Sequence, residues 1–138
     1  MDLFPTFCEL GGGIIPDAVE GKSLLPILQG KASEVRKVLY TGYRECQRAI
    51  RDERWKLIRY PLVDKTQLFD LQADPHELTN LAGLPEQAAK VADLTKLLQH
   101  EMAQYADKVP LKVASPMPAA WVAPAKAGKP GKKQATAK

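Results

Sequence analysis

Four short strand-like segments in residues 37–71 restrict the fold of this chain more than any other feature. Their β-branched and aromatic residues alternate with a two-residue period, which predicts strands over residues 37–43, 47–51, 55–60 and 66–71. The connections between these segments are short, and the two central strands are joined by only three residues. Connections of this length join antiparallel neighbours, so the sequence predicts a four-stranded antiparallel meander.

One long amphipathic helix is predicted after the strands. It begins at Pro85 and ends near Tyr105, and its apolar residues recur at three- and four-residue steps. They are Val91, Leu94, Leu98, Met102 and Tyr105. A helix with one apolar stripe buries that stripe against a neighbouring element. The predicted fold class is therefore α+β, a small four-stranded antiparallel sheet packed by one long C-terminal helix.

Two shorter helices are predicted before the sheet. Residues 2–11 form the first, with Asp2 as its N-cap and the glycines at 11–13 as its end. Residues 22–28 form the second, which Gly30 closes.

The basic charge of the chain belongs to one end of it. The net charge is +4, but residues 109–138 hold six lysines and no acid; subtracting these six from 20 basic residues leaves 14 against 16 acids. A nucleic-acid partner therefore does not follow from the charge of the folded part. Residues 109–138 are rich in Pro, Ala and Lys, and we predict a disordered tail because they bury little apolar surface.

Several classes of protein are excluded by missing patterns. No apolar run of about 18 residues predicts a transmembrane helix, and the first residues lack the basic and apolar regions of a secretory signal. Phosphate-binding loops, dinucleotide-binding turns and nucleophile elbows are missing, and two cysteines are too few for a zinc site. Asp74, His76 and Glu77 surround an Asp-Pro step typical of a turn, so we expect a structural role for them.

Six cations gather in 16 residues of the predicted hairpin: Arg44, Arg48, Arg51, Arg54, Lys56 and Arg59. Arginine offers paired donors to sulfate, phosphate or carboxylate, so the cluster is a candidate oxyanion-binding surface. The same run is also typical of a solvated strand face paired with nearby acids, here Glu45, Asp52 and Glu53. Strand alternation places Arg48 and Arg51 on opposite faces, so the six cations do not form one patch.

Four runs of residues stand in the order in which one enzyme family has them. They are DLFPT at 2–6 with Gly11, GKSLLPILQG at 21–30, RAIRD at 48–52 with WKLI at 55–58, and LFDL at 68–71 with DPHE at 74–77 and NLA at 80–82. Together they resemble the C-terminal segment of type I sulfatases, which belong to the alkaline-phosphatase-like superfamily. The resemblance covers residues 2 to about 105 and leaves the tail without a counterpart.

The resemblance implies that the catalytic chemistry lies outside this chain. In such sulfatases a large N-terminal domain holds calcium and a cysteine converted to formylglycine, whose hydrated aldehyde attacks the sulfur of a sulfate ester. The converted cysteine stands in a Cys-x-Pro/Ala-x-Arg motif, which neither Cys8 nor Cys46 matches. We therefore expect no nucleophile, metal ligand or cofactor here, an inactive chain on its own, and a start at Met1 that reflects truncation.

The resemblance divides the chain into three parts. Residues 1–35 correspond to the end of the catalytic domain, residues 36–108 to the C-terminal subdomain and residues 109–138 to the tail. Without the catalytic domain we expect six apolar side chains to be exposed, and only residues 36–106 to be self-sufficient. The six are Phe4, Phe7, Ile14, Ile15, Leu24 and Leu25.

What the resemblance transfers to this sequence is one wall of a substrate pocket. The residues expected to bind substrate stand at the start of the hairpin: Tyr43, Arg44, Gln47 and Arg48. Lys56 matches a lysine of the family pattern, and we expect it to serve the structure or the charge of the rim.

Two functions remain open. The favoured one is the C-terminal part of a sulfatase, a sulfuric ester hydrolase, whose partners are the catalytic domain and a sulfated substrate, expected to be a carbohydrate. The alternative is a stand-alone, non-enzymatic binding module whose basic tail contacts nucleic acid or an acidic partner. Full-length enzymes of the family are expected in the periplasm or outside the cell, and no membrane partner is expected.

Overall fold

The strands predicted from the alternation form one antiparallel sheet. The computed structural model describes residues 1–120, and its strands are β1 (Leu39–Tyr43), β2 (Gln47–Arg51), β3 (Trp55–Tyr60) and β4 (Lys65–Asp70). They lie in the order β1-β2-β3-β4, and each pairs with the next in antiparallel register. The predicted meander is confirmed, and the bounds of β2 and β3 are those that the sequence predicts.

The long helix lies on one face of this sheet. A 3-10 turn, Pro85–Gln87, leads into α3 (Ala88–Gln104), in which Leu94, Leu98 and Met102 recur every four residues. These three pack against a row of directly paired residues from the central and last strands, each at most 1% exposed: Ile50, Leu57 and Leu68. Burying a side chain of this size stabilises the fold by about 1.5–3 kcal/mol, so this contact is the core of the predicted α+β unit.

The two faces of the sheet carry different residues, as the alternation predicts. Arg48 and Arg59 are directly paired on the helix side of β2 and β3, whereas Arg51 lies on the opposite side. A smaller buried cluster occupies that opposite side: Ala49, Ile58 and Phe69. The expectation that the hairpin cations are divided between two faces is therefore confirmed.

Asp2 stands at the N-cap position of α1 (Leu3–Leu10) but does not cap it with its side chain. Its carboxylate accepts two hydrogen bonds from Arg36, at 2.7 and 2.8 Å, and one from the amide of Lys22 at 3.1 Å. The prediction of a side-chain cap is wrong because a bidentate arginine is a stronger partner for a carboxylate than a neutral amide. The pair instead links the N-terminal segment to the residues that precede β1.

The second short helix is shorter than the sequence predicts. It is the single turn α2 (Leu25–Leu28), because side-chain oxygens of Thr6 and Ser23 bind the amides of Leu24 and Leu25, at 2.9 and 3.1 Å. Gly30 ends it with a φ of 67°, the left-handed conformation that glycine adopts readily.

Residues 107–111, which follow α3, return to the sheet. Asp107 pairs with Arg48, the carbonyl of Leu111 accepts a hydrogen bond from Arg59 Nε at 2.7 Å, and the Leu111 side chain packs against the core. Residues 109–120, the start of the predicted disordered tail, contain no helix or strand, yet they contact the sheet through Leu111. The rest of that prediction concerns residues 121–138, which lie outside the described part of the chain.

Part of the apolar surface expected on residues 1–30 is exposed. Phe4, Phe7 and Ile14 are 55%, 65% and 92% exposed, whereas Ile15, Leu24 and Leu25 are half-buried. Other apolar side chains of this segment are exposed in their place, among them Leu3, Leu10 and Leu28. None of the helices within residues 1–120 has both the length and the apolar character needed to cross a bilayer.

Candidate functional site

The four residues predicted to bind substrate meet at the turn between β1 and β2. Arg44, Glu45 and Cys46 connect the two strands, and the turn closes where the amide of Cys46 donates to the carbonyl of Tyr43 at 3.2 Å. Arg44 has a φ of 46°, a left-handed conformation that is uncommon for a residue with a side chain. We call residues 43–47 the β1–β2 turn.

The structure separates the four predicted residues into two that are exposed and two that are not. Tyr43 is 61% exposed, Arg44 is also exposed, and the Arg44 guanidinium carbon lies 5.7 Å from the centre of the Tyr43 ring. Gln47 is half-buried, and Arg48 is only 4% exposed. The turn therefore presents Tyr43 and Arg44 to solvent as a pair, whereas Arg48 is enclosed by the fold.

Arg48 uses its guanidinium inside the chain. Its Nε donates to Asp107 Oδ2 at 2.5 Å and its Nη2 to Asp107 Oδ1 at 3.2 Å. Its Nη1 donates to two backbone carbonyls of the β1–β2 turn, those of Gln47, at 2.8 Å, and of Arg44. The expectation that Arg48 contacts substrate stays a prediction, but the visible role of this side chain is to hold the turn.

Asp107 also accepts a hydrogen bond from the hydroxyl of Tyr40 and one from the amide of Val109 at 3.0 Å. The hydrogen bonds from Arg48 lower the pKa of Asp107 from 3.8 to about 2, and the same contact raises the pKa of Arg48. Burial, followed by the hydrogen bond to Asp107, raises the pKa of Tyr40 to about 12. At neutral pH the network therefore consists of an ionised Asp107, a charged Arg48 and a neutral Tyr40.

Most of the other hairpin cations are paired, and with acids other than those expected. Arg54 pairs with Asp70 at 2.7 Å, Lys56 with Glu77 at 2.7 Å and Arg59 with Asp64. Within residues 1–120, Arg44 and Arg51 are the two of the six that form no ion pair. The alternative of a strand face paired with acids therefore describes four of the six cations. Arg44 is left available to an external anion.

Two predicted structural roles agree with the contacts. The Lys56–Glu77 pair joins β3 to the turn after β4, a structural use of the family lysine. In that turn the amide of Glu77 donates to the carbonyl of Asp74 at 3.1 Å, so the turn expected at the Asp-Pro step is confirmed.

Within residues 1–120, the side chains that bind metals or act as nucleophiles lie apart from one another. No three side chains of His, Cys, Asp or Glu in that range are grouped so that they hold a metal ion. Cys8 is half-buried and Cys46 is exposed on the β1–β2 turn, and neither stands in the sequence motif for formylglycine. The described residues therefore do not fit calcium or formylglycine, and no chemical step is assigned to either group.

The β1–β2 turn borders one groove through Glu45 alone, a groove of about 410 Å³ that residues 61–62 and 108–113 also line. A groove of about 420 Å³ beside β1 is lined by Tyr40, Gly42 and Tyr105 among others. The four predicted residues line neither groove. Ligand sites enclose most of the ligand surface, so these four residues would serve as one side of a site that another surface completes.

Two members of the network, Asp107 and Tyr40, were not predicted. Tyr40 could have been found from the sequence, because strand alternation places it on the same face as Ile50 and Arg48. Asp107 is 59 residues from Arg48, and it reaches that side chain only because Ala106, with a φ of 51°, ends the helix and turns the chain.

Known proteins resemble this chain in both sequence and structure. The family N-sulphoglucosamine sulphohydrolase, C-terminal, matches residues 1–106. The N-acetylglucosamine-6-O-sulfatase of Bacteroides thetaiotaomicron is 33% identical over 122 residues, which cover 80% of this chain and 22% of that protein. The multifunctional alkaline phosphatase superfamily protein PehA of Trinickia caryophylli is 34% identical over 128 residues, which cover 78% of this chain and 25% of that protein.

A solved structure shows the same relation. BT4656 in complex with its substrate D-glucosamine-2-N,6-O-disulfate matches with a TM-score of 0.70 and 32% identity, over 80% of this chain and 25% of that one. The chain thus spans about a quarter or less of the length of these relatives (22–25%). The fold and the family expected from the four runs of residues are confirmed: the chain belongs to the N-sulphoglucosamine sulphohydrolase C-terminal family, and its relatives include sulfatases of the alkaline-phosphatase-like superfamily.

Proposed function

We propose that this chain is the C-terminal part of a sulfuric ester hydrolase and that its β1–β2 turn forms one wall of the substrate pocket. The observation that supports this most directly is Arg44, an exposed cation that forms no ion pair within residues 1–120 and stands on a turn held from beneath by Arg48. A sulfate ester is an anion, and a guanidinium binds its oxygens through paired, charge-assisted hydrogen bonds.

The substrate class that fits this turn is a sulfated carbohydrate. Tyr43 places an exposed aromatic ring beside the Arg44 guanidinium, which provides an apolar surface for a sugar ring next to a cation for its sulfate. Gln47, the half-buried first residue of β2, has a side-chain amide that can donate a hydrogen bond to a sugar hydroxyl or accept one from it. The relative BT4656, whose substrate is a doubly sulfated glucosamine, supports the same class.

In this proposal the nucleophile, the metal site and the opposite wall of the pocket lie outside this chain. The exposed apolar side chains of the N-terminal segment, with Phe7 and Ile14 65% and 92% exposed, are then the surface that packs against the catalytic domain. Residues 1–35 belong to that domain in this division, and residues 36–108 form the subdomain that carries the turn.

Titration of the chain with D-glucosamine-2-N,6-O-disulfate, followed by amide NMR, tests the proposal. A one-sided site with few contacts binds weakly, so we expect saturation in the millimolar range and shifts concentrated at residues 43–47. The variant Arg44→Asn removes the charge but tolerates the positive φ, and it is expected to abolish these shifts.

Arg51→Asn is the matched control, because Arg51 is an exposed arginine at the C-terminal end of β2 that forms no ion pair with residues 1–120. Its titration is expected to equal that of the unchanged chain, and unsulfated glucosamine is expected to cause no shifts. Shifts scattered over the basic surface, or an equal loss in both variants, would exclude a specific wall at the β1–β2 turn.

A further inference from the structure

We propose that Asp107 is a positioning residue that sets the direction in which the β1–β2 turn presents Arg44. The family match ends at residue 106, so it assigns no role to Asp107. The use of the turn for substrate rests on the proposed function, whereas the positioning itself rests on contacts within this chain.

The first step is the geometry of the Arg48 guanidinium, which is planar and rigid. The Asp107 carboxylate occupies one edge, with 2.5 Å between Oδ2 and Nε and 3.2 Å between Oδ1 and Nη2. When that edge is fixed, the remaining nitrogen, Nη1, is directed at the carbonyls of Gln47 and Arg44. The position of Asp107 therefore determines where the turn carbonyls are held.

The second step is the backbone of Arg44. Its φ of 46° is unfavourable for a residue with a Cβ and persists only where the surroundings hold it. The hydrogen bond from Arg48 Nη1 to the carbonyl of Arg44 itself supplies that restraint. If this bond is lost, no other side chain of residues 1–120 binds the carbonyl of Arg44.

The third step is the space that the network needs. Gly42 is paired with Arg48 across β1 and β2, and a Cβ on Gly42 would lie 3.4 Å from Arg48 Nε and 3.1 Å from the hydroxyl of Tyr40. The distance to the Tyr40 hydroxyl is tight, whereas the distance to Arg48 Nε is an ordinary van der Waals contact, so the missing side chain at residue 42 makes room for the hydroxyl that Asp107 binds. Asp107 is itself held by the amide of Val109 at 3.0 Å.

The variant Asp107→Asn tests the inference in the full chain without any ligand. Losing a charged hydrogen-bond partner typically changes a local equilibrium about tenfold, so the Cys46 amide, which closes the turn, is expected to exchange with solvent about tenfold faster. Amides of the β3–β4 pair exchange through global unfolding, so their rates are expected to follow the urea-measured stability of the variant and not the opening of the turn. Asp107→Glu keeps the carboxylate and is expected to restore part of the protection.

Two further variants separate positioning from general stability. Arg48→Lys leaves Asp107 unchanged but replaces the rigid fork that reaches the turn carbonyls with a single nitrogen, so it is expected to accelerate exchange at Cys46 in the same way. Tyr40→Phe removes a different partner of Asp107 and is expected to leave the turn amides unchanged, because the Arg48 contacts remain. Unchanged Cys46 exchange in a folded Arg48→Lys, or in a folded Asp107→Asn, would overturn the inference.

The same variants distinguish this inference from the proposed function. Asp107→Asn is expected to weaken binding of D-glucosamine-2-N,6-O-disulfate about tenfold, although Asp107 is not one of the four residues expected to bind it. If the turn loosens as expected while neither the chain nor the variant binds the disulfate, the positioning role stands and the substrate wall fails. If the disulfate binds at residues 43–47 and Asp107→Asn changes neither exchange nor affinity, the wall stands and the positioning role fails.

Discussion

Removing the charge of Asp107 is expected to destabilise the chain by an amount that depends on pH. The pKa of this carboxyl falls from 3.8 to about 2 on folding, and each unit is worth about 1.4 kcal/mol, so its ionised form contributes about 2 kcal/mol. Because the pKa is lower in the folded state, this contribution is complete above pH 4 and disappears as the pH falls through 2. Asp107→Asn also leaves the enclosed Arg48 without a counter-charge, so the expected loss at pH 7 is about 2–4 kcal/mol.

Urea unfolding of the chain and of Asp107→Asn at pH 7, 4, 3 and 2 measures this difference. At a slope of about 1–1.5 kcal/mol per molar urea, the midpoint of the variant is expected to fall by about 2 M at pH 7 and to approach that of the unchanged chain near pH 2. Asp93→Asn, at an exposed position of α3, is the control and is expected to change the midpoint little. A difference between the chain and Asp107→Asn that stays constant from pH 7 to pH 2 would refute the assigned cause, because a neutral hydrogen bond does not titrate there.

Three further outcomes are expected. Leu98→Ala, at a fully buried core position, is expected to cost about 2–5 kcal/mol in urea unfolding, and a cost below about 1 kcal/mol would contradict the packing of α3 on the sheet. Limited proteolysis followed by mass spectrometry is expected to cleave residues 1–30 before residues 36–106, and equal resistance would show that the N-terminal segment is self-sufficient. Removal of residues 121–138, which hold five lysines, is expected to leave disulfate affinity unchanged and to abolish any salt-dependent binding of nucleic acid; a lower disulfate affinity would place recognition in the tail.

The fold was predictable because its elements are specified locally. Alternation and short connections define β2 and β3 to the residue, and the four-residue recurrence of Leu94, Leu98 and Met102 defines the face of α3 that packs on the sheet. The predictions fail where a side chain binds a residue distant in sequence and not its neighbouring backbone. Asp2 matches an N-cap in sequence, but Arg36, 34 residues away, binds its carboxylate.

The candidate site was predictable only in part for the same reason. The resemblance located the β1–β2 turn, and alternation placed Arg48 and Arg51 on opposite faces of the sheet. Neither showed that Arg48 is bound by a carboxylate 59 residues later, because the left-handed Ala106 that brings Asp107 into place has no sequence signature. Sequence reasoning therefore treated an enclosed arginine and an exposed one as equivalent ligands for substrate.

The direct pairing of Arg48 with Arg59 determines where this chain can be shortened. Side chains that face each other across antiparallel strands lie about 4.5–5.5 Å apart at Cβ, and like charges at that distance repel. Asp107 neutralises the charge of Arg48, and the carbonyl of Leu111 accepts a hydrogen bond from Arg59. Both residues lie beyond α3. A crystallisation or domain-exchange variant that stops at Gln104, where the helix ends, would leave Arg48 without its carboxylate beside Arg59 and would uncover the core, so its last residue should come after Leu111.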